Sequence, residues 1–170
     1  AEVWDLGQEV TALAGSPKGI WLEGGGPAGL EGAHVATLRR HDVTVFEAAR
    51  NIGGALRCAA VRYEPNLRLL RWYEHEMRSL AVDIRTATTA TPEAVAALSP
   101  DHVVVATGAA RTRSTLPGAD RSHVFDGDDL RELLTGAGPT GAAKKLPLPA
   151  RLALGIGRRV GLIDDPGILA

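Results

Sequence analysis

Short apolar runs alternate with helical stretches through much of the chain. Residues 20–22 and 43–46 are apolar apart from one threonine, and most of their side chains are β-branched or aromatic, which favours strands. The residues between them, from Pro27 to about Arg39, have the pattern of a helix. A strand, a helix and a second strand in this order predict a βαβ unit with parallel strands.

The alternation continues to residue 106. Apolar residues recur at helical spacing ahead of a third predicted strand, residues 82–84, at Leu69, Leu70, Tyr73, Met77 and Leu80. Thr91 followed by Pro92 is typical of a helix start with threonine as the N-cap. Residues 102–106 are mostly apolar, so we expect a strand buried on both faces. The predicted fold class is α/β, a Rossmann-like FAD/NAD(P)-binding domain with an open, mainly parallel sheet flanked by helices.

The composition changes on either side of this region. Residues 1–18 show no clear period and end in Gly-Ser-Pro-Lys, so we interpret them as a lead-in segment. Residues 19–135 make up the predicted FAD-binding domain. Residues 135–149 are rich in glycine, alanine and proline, which is the composition of a linker. We therefore interpret residues 136–170 as a linker and the start of a missing second region.

Charge and cysteine content narrow the classes of partner. The chain has 19 basic and 20 acidic residues, so neither nucleic acid nor an anionic membrane is an expected partner. No apolar run approaches the roughly 20 residues that cross a bilayer. Cys58 is the single cysteine, which excludes an internal disulfide and fits a reducing, cytoplasmic location. The five histidines are scattered, and no catalytic set or metal-ligand set is predicted.

A glycine-rich turn follows the first predicted strand. Gly24, Gly26 and Gly29, with Pro27 and Ala28 between the last two, match the pattern G-x-G-x-x-G. The first glycine permits a tight turn, the second lets the backbone approach a pyrophosphate, and the third lets helix and strand pack closely. The helix that begins near Pro27 would direct its N–H groups and positive dipole end at the phosphates.

Glu47 strengthens the interpretation as a dinucleotide site. It follows the second predicted strand, about 20 residues beyond the turn, where a carboxylate accepts hydrogen bonds from an adenosine ribose. A carboxylate there repels a 2′-phosphate, which favours FAD or NAD over NADP. If Glu47 is exposed at the strand end, its removal should change the stability of the ligand-free protein by well under about 1 kcal/mol.

Five segments together resemble a known family. These are residues 24–31 (GGGPAGLE), 45–47 (VFE), 53–54 (GG), 105–108 (VATG) and 116–118 (LPG). In order and spacing they resemble the FAD domain of flavoproteins with two dinucleotide-binding domains. Within these, the similarity is greatest to the 2,4-dienoyl-CoA reductase and trimethylamine dehydrogenase family of NADH:flavin oxidoreductases. The chain departs from that family at Glu23, which stands in place of an apolar residue, and at Arg40, which stands in place of a glycine.

The resemblance implies a role for each matched segment. Gly24, Gly26, Pro27, Ala28 and Gly29 would hold the FAD pyrophosphate. Glu47 would hold the adenosine ribose, and Gly53 and Gly54 the flavin-side phosphate and ribitol. Thr107 and Gly108 would close over the pyrophosphate from the opposite strand.

The implied function is that of an FAD-binding domain or subunit of an FAD-dependent oxidoreductase. It would relay electrons between NAD(P)H and a partner flavin or substrate. In the family, FMN, an iron–sulfur cluster and a second nucleotide domain belong to other regions, so we expect them in missing domains or a partner subunit, and we expect the isolated chain to be inactive. The alternative is a non-catalytic module that binds ADP, because the corresponding domain of trimethylamine dehydrogenase holds ADP.

Overall fold

A computed structural model describes residues 12–109, 115–135 and 141–159 of the 170-residue chain. The strands in these residues are β1 (Gly19–Glu23), β2 (Asp42–Phe46), β3 (Asp83–Arg85) and β4 (His102–Val105). The α-helices are α1 (Pro27–Leu38), α2 (Ala55–Ala60), α3 (Glu64–Ser79), α4 (Pro92–Leu98), α5 (Gly127–Thr135) and α6 (Leu148–Arg159). A 3-10 helix spans Ala142–Lys145.

The four strands form one parallel sheet in the order β3-β2-β1-β4. In β1 and β2, Gly19 pairs with Asp42 and Glu23 with Phe46, so the two strands end at the same level. The predicted α/β class, the parallel sheet and the first βαβ unit are confirmed. Thr91 is the N-cap of α4, and its side chain accepts a hydrogen bond from the Ala94 N–H, as the sequence predicted.

The chain divides into two compact units. The first combines the residues up to Gly54 with Arg71–Gly108 and contains the whole sheet. The second combines Ala55–Leu70 with the residues from Ala109 onward. Residues 1–11 of the predicted lead-in, and residues 136–140 and 160–170 of the predicted linker region, lie outside the described residues.

Helix α1 packs on β1 and β2 through small residues. Leu30 and Ala33 on this helix are completely buried. A Cβ at Gly32 would come within 2.9 Å of the Leu22 side chain, so the absence of a side chain lets the helix lie close to β1. This close packing brings the start of α1 to the end of the strand that precedes it.

The second half of α3 packs against α1 through polar and aromatic side chains. The buried Tyr73 donates its hydroxyl proton to Glu31, with 3.1 Å between the oxygens. Burial and the nearby Glu31 carboxylate raise the pKa of Tyr73 to about 12, so the hydroxyl remains a donor at neutral pH. His34 lies 3.4 Å from the Glu76 carboxylate and edge-on to the Trp72 ring.

Strand β4 is not buried on both faces, and that prediction is wrong. The strand is at the end of the sheet and pairs only with β1 among the described strands. The side chains of Val103, Val104 and Val105 are 45%, 43% and 69% exposed. An apolar run indicates what a strand could bury, but burial also needs a neighbouring element, and position in the sheet cannot be read from the run itself.

Helix α5 was not predicted, although its start carries a local pattern. The Asp126 carboxylate accepts hydrogen bonds from the Asp128 and Asp129 N–H groups at 2.9 and 2.8 Å. The Asp129 carboxylate in turn accepts from the Asp126 N–H at 3.0 Å. This reciprocal arrangement is a capping box with aspartate in both positions.

A buried ion pair joins α5 to the 3-10 helix. The Asp129 side chain is fully buried and pairs with Lys145, whose ammonium also donates to the Val124 carbonyl oxygen at 3.0 Å. The Glu132 carboxylate accepts from the N–H groups of Gly141 and Ala142 at the start of the 3-10 helix. These polar contacts link residues that are far apart in the sequence.

Helix α6 lies among the residues whose composition indicated a linker. Its apolar side chains recur every four residues, at Leu148, Leu152 and Ile156, and each is more than half exposed. Alanine also favours helices, which is why glycine, alanine and proline content alone did not predict this element.

Arg40 has the left-handed conformation that the resemblance assigns to a glycine. Its φ is 69°, and its N–H donates to Thr37 while the next N–H, of His41, donates to Ala36. These two bonds form a Schellman motif, whose left-handed residue is usually glycine. The helix ends as the family pattern implies, but with a side chain where one is unfavourable.

Arg40→Gly should therefore raise the free energy of unfolding by about 0.5–1 kcal/mol. A left-handed residue with a side chain costs about 1–2 kcal/mol, and glycine gives back part of this gain through its larger unfolded-state entropy. Urea unfolding followed by circular dichroism measures the change. Arg39→Gly is the control, because Arg39 has an ordinary φ of −80° and glycine there should destabilise. Equal destabilisation by both substitutions would contradict the prediction.

Candidate dinucleotide-binding site

The glycine turn lies at the carboxyl end of β1. From β1 the chain moves to β2 and β3 on one side, whereas β4 lies on the other side of β1. Ligands of open parallel sheets bind at the carboxyl ends of the strands where the order switches in this way. The predicted turn therefore occupies the position in the sheet where a nucleotide site is expected.

Gly24 and Gly29 are required by the fold itself. Gly24 has a φ of 107°, and a Cβ there would lie 2.5 Å from the Ala106 carbonyl oxygen at the end of β4. A Cβ at Gly29 would overlap the Gly24 carbonyl oxygen. Both glycines thus permit close backbone packing between β1, α1 and β4, which agrees with the reasons given for them from the sequence.

Gly26 has no such structural reason to be glycine. Its φ of −80° and ψ of −178° are available to any residue. No atom of the described residues lies within 4 Å of the position that a Cβ would take. The space beside Gly26 is therefore open, as the approach of a ligand to the backbone requires.

The start of α1 supplies hydrogen-bond donors without a protein cap. Gly26 is the N-cap and has no side chain to accept from the first N–H groups. Pro27 is the first helical residue and lacks an N–H, and the first turn contains no acidic residue. Pro27 and Ala28 are exposed. An anion placed here would meet backbone donors and the positive end of the helix dipole.

Glu47 lies at the end of β2 and holds two backbone N–H groups. Its Oε2 accepts from the Gly25 N–H at 2.8 Å, and its Oε1 accepts from the Ala49 N–H at 2.7 Å. The side chain is half-buried, not exposed as expected for a strand-end charge. Neither Gly25 nor Ala49 was named from the sequence, because a backbone donor leaves no mark on residue type.

Gly53 and Gly54 contact the glycine turn. The Gly53 N–H donates to the Gly25 carbonyl oxygen at 2.6 Å. A Cβ at Gly54 would lie 3.1 Å from the Cα of Gly26. Both residues have positive φ, 110° and 51°, so this loop depends on glycine for its conformation as well as for its close approach.

The residues after β4 complete the edge. The Ala106 N–H donates to the Glu23 carbonyl oxygen, which extends the pairing of β4 with β1 up to the turn. Thr107 and Gly108 follow and are exposed, and Gly108 has a φ of 80°. Glu23 is only half-buried, so its carboxylate avoids the cost of full burial.

All the predicted site residues thus come from loops at one edge of the sheet. The structure brings the glycine turn together with Glu47, with the pair Gly53 and Gly54, and with the end of β4. A further turn, residues 86–88, joins them, since the Ala87 N–H donates to the Ala49 carbonyl oxygen and the Thr88 N–H to that of Glu47. The assignment of each residue to a part of FAD stays a prediction.

Comparisons with known proteins agree with this architecture. The family described as an NAD(P)-binding Rossmann-like domain matches residues 24–83. Bilirubin reductase of Mediterraneibacter gnavus is 40% identical over 111 residues, which are 64% of this chain and 17% of that protein. N,N-dimethylglycine/sarcosine dehydrogenase of Chromohalobacter salexigens is 40% identical over 118 residues, 68% of this chain and 17% of that protein.

A solved structure shows the same fold. The complex of 2-naphthoyl-CoA reductase with 2-naphthoyl-CoA superposes with a TM-score of 0.68 at 28% identity, over 77% of this chain and 20% of that one. The chain spans 17% of the length of the two curated relatives named above. Among the described helices, none combines the length and the apolar character needed to cross a bilayer.

The chain therefore carries an NAD(P)-binding Rossmann-like domain. Its homologues are flavoprotein oxidoreductases of the 2,4-dienoyl-CoA reductase and trimethylamine dehydrogenase type, and the resemblance seen in the sequence is confirmed. The relatives named here are reductases and a dehydrogenase, so the domain belongs to oxidoreductase chemistry.

Proposed function

We propose that this domain binds FAD at the glycine turn as part of an NADH:flavin oxidoreductase. In that enzyme it relays electrons between NAD(P)H and a partner flavin or substrate. The flavin supplies the redox chemistry, and this chain's residues supply binding and orientation. FMN, an iron–sulfur cluster and the substrate site belong to other domains or to a partner subunit in this proposal.

The observation that carries the proposal is the open space at Gly26. Gly24 and Gly29 are explained by protein packing, whereas Gly26 has ordinary dihedral angles and an empty surrounding. A pyrophosphate that approaches the backbone gives this glycine a reason. The uncapped start of α1 lies beside it and offers N–H donors to the same anion.

The other residues fit the remaining parts of a dinucleotide. Glu47 has two carboxylate oxygens that each accept one backbone N–H, and each oxygen has a further lone pair for a ribose hydroxyl. Gly53 and Gly54 hold the flavin-side phosphate and ribitol, and Thr107 and Gly108 close over the pyrophosphate. NADP is disfavoured, because its 2′-phosphate would meet the Glu47 carboxylate.

A second candidate is a non-catalytic module that binds ADP. It is favoured by the location of the best-formed features, since Gly26, the start of α1 and Glu47 all serve the pyrophosphate and the adenosine. None of these three features distinguishes FAD from ADP. The match to an NAD(P)-binding family is likewise a match to the adenine-nucleotide half of the ligand.

The absorbance spectrum of the purified protein separates the two candidates. FAD binding predicts a yellow protein with flavin absorbance bands, and heat release followed by mass spectrometry identifies the nucleotide. A colourless protein that nevertheless binds ADP in a calorimetric titration supports the ADP module. Absence of binding to FAD, ADP and NAD would overturn both candidates.

A further inference from the structure

We propose that Glu47 positions the glycine turn for phosphate binding, in addition to any contact with a ribose. This inference rests on the proposed dinucleotide site. It makes Glu47 a positioning residue for the pyrophosphate, although its carboxylate belongs to the adenosine side of the site. Binding of a nucleotide that lacks ribose hydroxyls should then still depend on Glu47.

The first step is the pair of hydrogen bonds made by the carboxylate. One oxygen holds the Gly25 N–H within the turn, and the other holds the Ala49 N–H just beyond β2. Both bonds are present without any ligand. A charged acceptor makes such bonds stronger than neutral ones, so Glu47 ties the turn to the end of a neighbouring strand.

The second step is the position of Gly25 between three segments. Its N–H is held by Glu47, and its carbonyl oxygen accepts from the Gly53 N–H at 2.6 Å. Gly54 in turn lies against Gly26, the residue with open space beside it. The conformation of the phosphate-facing backbone thus depends on the residue that Glu47 anchors.

The third step is the lack of slack around Gly25. A Cβ there would lie 3.1 Å from the Glu47 carboxylate, 3.2 Å from the Glu47 Cβ and 3.3 Å from the Ile52 side chain. Gly25 is buried as well. The carboxylate is therefore packed against the turn as well as hydrogen-bonded to it, and removing it leaves both a free donor and a gap.

The experiment compares ADP with 2′,3′-dideoxy-ADP, which keeps the adenine and both phosphates but has no ribose hydroxyls. Calorimetric titrations are made with the wild type, Glu47→Ala and the isosteric Glu47→Gln, after circular dichroism has shown each to be folded. We expect the affinity of Glu47→Ala for dideoxy-ADP to fall about 10-fold, the effect of losing a charge-assisted hydrogen bond. The affinity for ADP should fall further.

The matched control is Asp101→Asn. The Asp101 carboxylate also accepts a backbone N–H, that of Gly19 at 2.7 Å, but at the opposite end of β1. Both affinities of this variant should equal those of the wild type. If Glu47→Ala does not fold, Glu47→Gln supplies the comparison, because it keeps the size of the side chain and loses its charge and one acceptor oxygen.

Amide hydrogen exchange of the ligand-free protein gives a second readout. Exchange at Gly25 should become at least about 10-fold faster in Glu47→Gln and stay unchanged in Asp101→Asn. The inference is overturned if the Glu47 variants keep wild-type affinity for dideoxy-ADP and lose affinity only for ADP. Failure of the proposed function looks different, since the wild type would then bind neither nucleotide.

Discussion

Gly26→Val is expected to lose nucleotide binding while the sheet stays folded. Its dihedral angles are ordinary and the space for a Cβ is empty, so the protein itself tolerates a side chain there. A bound pyrophosphate would occupy the same space and would lose its bonds to the start of α1. Losing two charge-assisted hydrogen bonds, at about 1.5–3 kcal/mol each, lowers affinity by more than about 100-fold.

Calorimetric titration with FAD and ADP measures the loss, and thermal unfolding of the ligand-free variant checks the fold. Gly29→Ala serves as the contrast, because its Cβ would overlap the Gly24 carbonyl oxygen and should destabilise the protein before any ligand is added. Undiminished cofactor content in Gly26→Val would remove the assignment of this turn to the pyrophosphate.

Lys145→Met should give the largest loss of stability. It removes the cation that pairs with Asp129, whose side chain is completely buried. A buried charge left without its partner costs about 3–5 kcal/mol, which is a large part of the total stability of a domain. We expect the melting temperature to fall by about 10 °C.

Differential scanning calorimetry measures this change, and two further variants test its cause. Lys144→Met alters a neighbouring lysine that is exposed and should change the melting temperature little. Adding Asp129→Asn to Lys145→Met removes the buried charge and keeps an acceptor for the Asp126 N–H. The double variant should recover part of the stability, and a double variant as unstable as Lys145→Met would exclude charge burial as the cause.

The local patterns in the sequence predicted the site's position well. Glycines forced by backbone contact, such as Gly24, and a cap such as Thr91 act over a few residues, so residue type alone reveals them. The capping box of Asp126 and Asp129 was equally local and could have predicted α5. The pattern was missed because no strong apolar period surrounds it.

Features that depend on distant neighbours were predicted less well. The exposure of Val104 depends on where β4 lies in the sheet, which its own residues do not encode. The position of Glu47 was predicted, but its bonds to two backbone N–H groups were not. Because of those bonds, we now expect Glu47→Ala to destabilise the ligand-free protein, contrary to the small change expected for an exposed strand-end charge.

Strand β4 also affects how the protein will behave in concentrated solution. Among the described strands, none covers the outer side of β4, where backbone donors and acceptors lie beside three consecutive valines. Such an edge can template the pairing of another extended chain, and natural sheets usually guard it with charged residues or proline. His102 and the preceding Asp101 place polar groups at one end only. If the protein aggregates during purification, growth should begin along this edge.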